Sequence, residues 1–157
     1  MSERSRPTFL TQKGHQKLEQ ELEHLCKVRR QEVARRLHAA LTEGDLIENA
    51  ELEDARNEQS FVEGRILMLQ RMLGSAVIIE EEGPREMVGL GSRVTVTEGD
   101  GQRETYHIVG SAEANPTQGL ISNESPLGHA LMGRRVGEAA EVNAPAGVLI
   151  FKIVEIQ

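Results

Sequence analysis

An acidic segment in the first third of the chain carries the residue types best suited to chemistry. It reads Gly-Asp-Leu-Ile-Glu-Asn-Ala-Glu from residue 44 to 51 and places the carboxylates of Asp45 and Glu48 three positions apart. If a helix begins here, both carboxylates lie on one face, within reach of a single divalent cation. Two carboxylates hold Mg²⁺ only weakly, because the ion keeps most of its water and needs substrate phosphates or further acids. The segment therefore indicates a magnesium site that a second macromolecule completes.

The same spacing also has a structural explanation. An acidic residue followed three positions later by Glu matches a capping box, in which each side chain accepts a hydrogen bond from a backbone N–H at a helix start. Spacing alone gives the two explanations equal weight. They differ in one respect: a shared metal site requires that the segment reach another macromolecule, and a capping box does not.

The composition disfavours several other kinds of site. With one cysteine and five scattered histidines, the chain has no internal disulfide and none of the paired-cysteine or His-Glu-x-x-His patterns of a zinc site. Aromatic residues make up 3% and the net charge is -7, which disfavours independent binding to nucleic acid. No run of 18 apolar residues and no apolar stretch of a signal peptide is present, so we expect a cytoplasmic protein without a membrane partner.

Two helical patterns flank the acidic segment. The first begins after Thr11 and keeps an apolar stripe without a proline, at Leu18, Leu22, Leu25, Val28, Val33, Leu37 and Ala40. The second follows Gly44 and alternates spacings of three and four, at Leu52, Ala55, Gln59, Val62, Ile66, Leu69 and Leu73. Neither helix can hide its stripe from water alone, so each needs the other as a cover.

The short connection between these helices predicts an antiparallel coiled-coil hairpin over residues 1–76. Roughly 30 residues at about 1.5 Å each make an arm on the order of 45 Å long, with the acidic segment at its tip. A narrow acidic tip can enter a channel in another macromolecule and donate metal ligands there. Basic residues between 27 and 36 precede acidic residues between 43 and 58, and both groups also fit solvated helix faces.

Residues 77–157 differ from the first half in both period and charge. They carry 12 acidic and 6 basic residues, against 13 and 12 in residues 1–76. Five β-branched runs predict strands of an antiparallel sheet, at 77–79, 93–97, 105–109, 138–143 and 148–156. Ser125 and Pro126 fit the N-cap and first residue of one short helix. The predicted fold class is α+β, a helical hairpin followed by a compact sheet domain.

Four stretches of the chain resemble the bacterial Gre transcript cleavage factors, in particular the GreA type. They are GDLIENAE at 44–51, EQSFVEGRI at 58–66, LISNESPLGHALMGRRVGE at 120–138 and the ending FKIVEI. The resemblance covers nearly the whole chain, with the acidic segment and the Ser-Pro segment at the separation typical of the family. It implies an N-terminal antiparallel coiled coil and a C-terminal FKBP-like domain that docks on RNA polymerase.

The resemblance also implies a function. Gre factors insert the tip of the coiled coil into the secondary channel of bacterial RNA polymerase, where a backtracked nascent RNA places its 3′ end. They stimulate the Mg²⁺-dependent cleavage of that RNA by the polymerase, so the chain alone is expected not to be an enzyme. No cofactor is expected to be tightly bound, since Mg²⁺ would be shared with the polymerase. We expect a monomer.

Each site residue is carried over from the family by its position. Asp45 and Glu48 match the acidic pair that helps to hold Mg²⁺ and to orient the attacking water. The remaining matches are Asn49 and Glu51 as tip supports, Arg56 as a contact to RNA or polymerase, and Ser122, Ser125 and Pro126 in the segment that docks on polymerase. The resemblance therefore divides the chain into a reactive tip and a docking domain.

Two residues depart from the family pattern. Ile47 stands where GreA-like tips are usually polar, and Leu52 replaces an aromatic residue that commonly follows the tip acids. These departures are compatible with a second function, that of a Gre-like protein that occupies the channel and inhibits or modulates polymerase without stimulating cleavage. Prolyl isomerisation is disfavoured, because only Tyr106 and Phe151 in the second half could line an aromatic pocket. A pure coiled-coil scaffold would need no acidic tip.

Overall fold

A computed structural model describes residues 6–43, 49–81 and 83–157 of the chain. The described residues form two compact units, and the first contains His15–Ser75. The second contains Pro7–Gly14 together with Ala76–Gln157. The segment Pro7–Gly14, which the predicted division at residue 76 assigns to the hairpin, therefore belongs to the unit that holds the sheet.

The helical part consists of two long antiparallel segments. The first runs through α1 (Gln12–His24), a π-helical stretch at Leu25–Arg29 and α2 (Arg30–Glu43). The second is α3 (Ala50–Gly74), which packs on α2 and on the π-helical stretch. The predicted hairpin is therefore confirmed. Within the described parts of the chain, no helix is long and apolar enough to cross a membrane.

The π-helical stretch explains an irregular step in the apolar stripe of the first helix. The predicted stripe steps by five residues from Val28 to Val33, which no α-helical turn can accommodate. In the structure the N–H of Arg30 donates to the carbonyl of Leu25, a π-type bond that adds one residue to the turn. Val28 is consequently turned out and is 41% exposed, so its assignment to the stripe was wrong. Leu25 and Cys26 pack on the core instead.

The side of α3 that packs on the first segment, here called the seam, follows the predicted pattern with one exception. Five of its positions are buried, namely Leu52, Ala55, Val62, Ile66 and Leu69. Gln59 is exposed, so its assignment to the seam was wrong. The adjacent Glu58 is partly buried in its place, because it bonds two arginines of the opposite helix. Val33 of α2 completes the central cluster with Val62 and Ile66.

A small parallel sheet opens the second unit. Its strands are β1 (Thr8–Leu10) and β2 (Ala76–Ile78), with Phe9 opposite Val77. The strand predicted at 77–79 therefore exists, but its place in an antiparallel sheet was wrong. Its partner β1 was not predicted, because Thr-Phe-Leu is short and, unlike Val-Ile-Ile at 77–79, is not a β-branched run.

The main sheet of the second unit has five strands in the order β5-β4-β3-β7-β6. Their bounds are β3 (Arg93–Glu98), β4 (Arg103–Val109), β5 (Leu120–Ser122), β6 (Ala139–Ala144) and β7 (Gly147–Ile156). The predicted strands β3, β4, β6 and β7 pair antiparallel, as expected, whereas β5, which was not predicted, runs parallel to β4. The one short helix, α4 (Pro126–Leu131), packs on β5 and β6 and helps to enclose an aliphatic core. The α+β class is confirmed.

A carboxylate from the sheet region holds the start of α1. The Thr11 side chain accepts a hydrogen bond from the N–H of Gly14 at 3.0 Å, as an N-cap does. The backbone N–H and the hydroxyl of Thr11 both donate to Glu113, each at 2.6 Å. A Cβ on Gly14 would lie 2.0 Å from Glu113 Oε1, so any other residue there would displace this carboxylate from Thr11.

The seam of the hairpin yields a stability prediction. Ile66 is 2% exposed in the central cluster, whereas its neighbour Leu67 is 50% exposed. Ile66→Ala should lower the free energy of unfolding by about 2–5 kcal/mol, since it removes buried methyl groups and leaves a cavity. Leu67→Ala, the matched control, should change it by less than about 1 kcal/mol. Denaturant unfolding of both variants checks this, and equal losses would contradict the assigned seam.

Candidate functional site

Asn49 closes the described end of the hairpin with a single side chain. It is the N-cap of α3, and its Oδ1 accepts a hydrogen bond from the N–H of Leu52 at 3.2 Å. Its Nδ2 donates to the carbonyl of Ala40, near the end of α2, at 2.7 Å. An amide offers an acceptor and donors on two separate atoms, whereas an ionised aspartate offers acceptors alone. Asn49 therefore joins the two helices on either side of the acidic loop.

The acidic pair itself, Asp45 and Glu48, lies outside the described residues. The structure still bears on the capping-box explanation, because α3 begins at Ala50 and its N-cap is Asn49. Asp45 is therefore not the cap of this helix, and that explanation was wrong for α3. The metal-binding role of the pair stays a prediction.

The first turn of α3 continues the negative charge of the tip. Glu51 and Glu53 lie in this turn, where the positive end of the helix dipole favours carboxylates. Glu51 Oε2 lies 3.6 Å from Arg36 Nη2 on α2. Arg56 is exposed, and among the described residues it has no ion-pair partner. Its guanidinium is therefore available to an external anion near the tip.

Three of the five basic residues between 27 and 36, namely Arg29, Arg30 and Arg36, pair with acidic residues after the loop. Arg30 donates two hydrogen bonds to Glu63, at 2.7 and 2.9 Å, and these bonds lower the pKa of that carboxyl. Arg29 and Arg36 both donate to Glu58. These pairs were not predicted, because the two charge bands also fit solvated helix faces. The signal was available, because partners in an antiparallel hairpin lie at similar distances from its loop.

The predicted docking segment forms a hydrogen-bonded turn at the end of β5. Ser125 is the N-cap of α4, as predicted: its Oγ accepts from the N–H of Gly128 at 3.1 Å and donates to the carbonyl of Ser122 at 2.7 Å. Ser122 Oγ accepts from the N–H of Glu124 at 3.1 Å. Pro126 occupies the first turn of α4 and is exposed. The structure thus brings the three predicted residues together and leaves the proline ring available to a partner.

Gly128 is a further residue of this turn that sequence analysis did not single out. A Cβ at this position would lie 1.9 Å from the carbonyl oxygen of Ser122. Any side chain there would displace the first turn of α4 from β5. A glycine two residues after a proline in the first helical turn was the available signal.

Other titratable groups do not assemble a second site in the described parts of the chain. No three His, Cys, Asp or Glu side chains there are placed to hold a metal ion. Burial lowers the pKa of His107 on β4, and the nearby Glu81 opposes that change only in part. The His107 Nε2 lies 2.9 Å from Glu81 Oε1 but makes no hydrogen bond with it. His107 is partly buried, and its lowered pKa leaves the imidazole neutral near pH 7.

The two bonds of Asn49 yield a prediction about the tip. Asn49→Ala removes both and should lower the free energy of unfolding by about 1–2 kcal/mol. Asn49→Asp keeps the cap but loses the donor to Ala40, so it should cost less than the alanine variant. Thermal unfolding measures both effects, with the exposed Asn57→Ala of α3 as control. Identical unfolding of all three variants and the unaltered chain would contradict the double role of Asn49.

Comparisons with known proteins identify the family. A family model described as "Transcription elongation factor, N-terminal" matches residues 8–78, and "Transcription elongation factor, GreA/GreB, C-term" matches residues 83–157. The chain is 49% identical over 155 residues to transcription elongation factor GreA of Acetivibrio thermocellus, covering 98% of each chain. It is 50% identical over 148 residues to GreA of Bacillus subtilis, covering 94% of each.

Among solved structures, GreA factor homolog 1 of Thermus thermophilus is 35% identical to this chain. That likeness covers 97% of this chain and 99% of the other, with a TM-score of 0.45. The family assignment rests on the two matched family models, which together span nearly the full length of the chain, and on relatives such as the one with 49% sequence identity. This chain belongs to the GreA/GreB family of transcription elongation factors.

Proposed function

We propose that this chain binds bacterial RNA polymerase, places the loop between α2 and α3 in the secondary channel and stimulates cleavage of backtracked RNA. The observation that carries the proposal is Asn49, whose two hydrogen bonds hold together the helix ends that flank the acidic loop. A tip that acts in a channel must be narrow, and this side chain closes it across the hairpin. Membership of the GreA/GreB family supports the same function.

The donor set of the loop fits a shared magnesium ion. Asp45 and Glu48 supply carboxylate oxygens, the hard ligands that Mg²⁺ prefers, and too few of them to retain the ion alone. Bound between this pair and the polymerase, the metal would activate water and stabilise the developing charge on the phosphodiester. The pair's own part is to hold and orient that water opposite the leaving oxygen. Hydrolysis then leaves a new RNA 3′ end with a hydroxyl, and the chain itself is not an enzyme.

Neighbouring residues support the tip in this proposal. Asn49 fixes the start of α3, and Glu51 lies in its first turn beside Arg36. Arg56 is exposed and faces no acidic partner among the described residues, so it is suited to a phosphate of the RNA or to an acidic group of polymerase. These roles predict that the factor acts at the nascent RNA 3′ end in the cytoplasm and carries no tightly bound cofactor.

The acidic pair provides the central prediction. A stalled elongation complex with 3′-labelled RNA and Mg²⁺ should release short RNA when the unaltered chain is added. Asp45→Asn or Glu48→Gln should reduce the release rate by on the order of 100-fold, because a neutral amide is a poor ligand for Mg²⁺. Raised Mg²⁺ should partly restore the weaker variant, and both should still compete with the unaltered chain for polymerase.

Glu53→Gln serves as the matched control, since Glu53 is an exposed carboxylate in the first turn of α3 that has no assigned role. It should retain release of short RNA. Unchanged release by both pair variants would contradict the metal-binding role. Blocked RNA synthesis without release, by the unaltered chain, would instead establish the inhibitory channel binder.

The docking segment gives a separate prediction. Pro126→Ala should raise the factor concentration needed for half-maximal cleavage several-fold, since it alters an exposed contact, and saturation should restore the rate. Ser125→Ala should weaken binding and also lower the free energy of unfolding by about 1 kcal/mol, because it removes the cap of α4. Pro116→Ala, at the exposed start of a short 3-10 turn in the same unit, is the control. A rate that saturation fails to restore would contradict a docking role.

A further inference from the structure

We propose that Glu58 is a positioning residue that sets the register of α2 against α3 and thereby the placement of the acidic tip. The inference rests on the proposed function and adds a residue to it. Glu58 acts through two arginines of the opposite segment. Its role is to hold the ends of α2 and α3 in the arrangement in which Asn49 bonds to both helices.

The carboxylate of Glu58 bridges two points of the first long helix. One oxygen accepts a hydrogen bond from Arg29 Nη2, and the other accepts one from Arg36 Nη1. These arginines are seven residues apart, so one side chain of α3 spans about two turns of the opposite helix. The Glu58 side chain is 23% exposed, so the solvent screens this contact less than it screens an ordinary surface pair.

Arg36 links Glu58 to residues nearer the tip. Besides its bond to Glu58, its Nη2 lies 3.6 Å from Glu51 Oε2, two residues after the cap of α3. Ala40 follows Arg36 by four residues, one turn further along α2, and its carbonyl accepts the 2.7 Å bond from Asn49. A shift of α2 by one residue along its axis, about 1.5 Å, would take both Arg36 and Ala40 away from their partners.

The apolar seam does not set this register alone. Between Ala55 and Val62 the seam has no buried apolar residue on α3, because Gln59 is exposed. Apolar contacts are also non-directional, so small side chains near the tip tolerate sliding and rotation. Charge-assisted hydrogen bonds are directional, and a partly buried ionic group can specify one register among several. Glu58 lies at this gap in the seam.

A pair elsewhere on the hairpin offers a matched control. Glu63 accepts two hydrogen bonds from Arg30, at 2.7 and 2.9 Å, so it too joins the helices through a charged contact. Its side chain is 49% exposed and contacts a single arginine, Arg30, which has no ion-pair partner nearer the tip among the described residues. Glu58→Gln and Glu63→Gln therefore remove equal charge from the same helix, with different consequences expected at the tip.

The first test is RNA release from the stalled complex at saturating factor. Glu58→Gln should lower the rate by on the order of 10- to 100-fold, the effect of displacing reacting groups by about 1 Å, while Glu63→Gln keeps it. The half-saturating concentration should stay unchanged for both. The double variant with Arg36→Gln and Glu58→Gln should release RNA no more slowly than either single variant, because both substitutions break the same contact. Equal rates for Glu58→Gln and Glu63→Gln would overturn the inference.

The second test needs no polymerase. Spin labels on Leu41→Cys and Glu53→Cys, both exposed and on opposite sides of the tip, report the distance between the helix ends in a chain with Cys26→Ala. Glu58→Gln should broaden this distance distribution and Glu63→Gln should not, and an unchanged distribution would overturn the inference. Absence of RNA release by the unaltered chain would overturn the proposed function, whereas normal release with no difference between the variants would overturn this inference alone.

Discussion

Burial of the seam between the two long helical segments is the constraint on which the hairpin depends. Each segment is amphipathic, and in the part of this unit that the structure describes its apolar stripe packs on the other segment. The central cluster of Val33, Val62 and Ile66 lies on both helices, so neither helix is stable without the other. This dependence explains how a thin arm can be rigid without a thick core. The stability of the hairpin is therefore sensitive to core substitutions, because a cavity in so narrow a core has few neighbouring side chains that can relax into it.

Polar contacts then decide which of several packings the seam adopts. Exposed ion pairs such as Arg30–Glu63 contribute little stability, because water and salt screen them. Their value on this arm is directional: Glu58 and Asn49 each join specific atoms of both helices, whereas the apolar residues provide only general attraction. The π-helical turn at Leu25–Arg29 has a related effect, since it rotates the stripe of the first helix back towards its partner. Stability and register thus come from different groups.

The sequence predicted the long features of the fold well and the short ones poorly. The hairpin and the longest strands have enough residues to show a period, and the Ser125 cap has a specific local chemistry. The strands β1 and β5, with three residues each, do not show one. The exposure of Val28 was missed because spacing reveals an extra residue but not which side chain a π turn rotates outward. The cap at Asn49 and the bridge at Glu58 depend on the register of two helices, which a linear pattern does not contain.

The placement of charge along the arm shows how a functional tip is accommodated. Acidic residues repel one another where they are concentrated, so an acidic loop alone would weaken the end of the hairpin. The start of α3 offsets part of this cost, because its dipole favours Glu51 and Glu53, and Arg36 lies near the first of them. Arg29 and Arg30 pair further down the arm, with Glu58 and Glu63. A loop neutralised by its own arginines would have no negative charge left for an external cation. The arm therefore uses its described ion pairs to specify the register of the helices, at positions set apart along the sequence from the two proposed metal ligands.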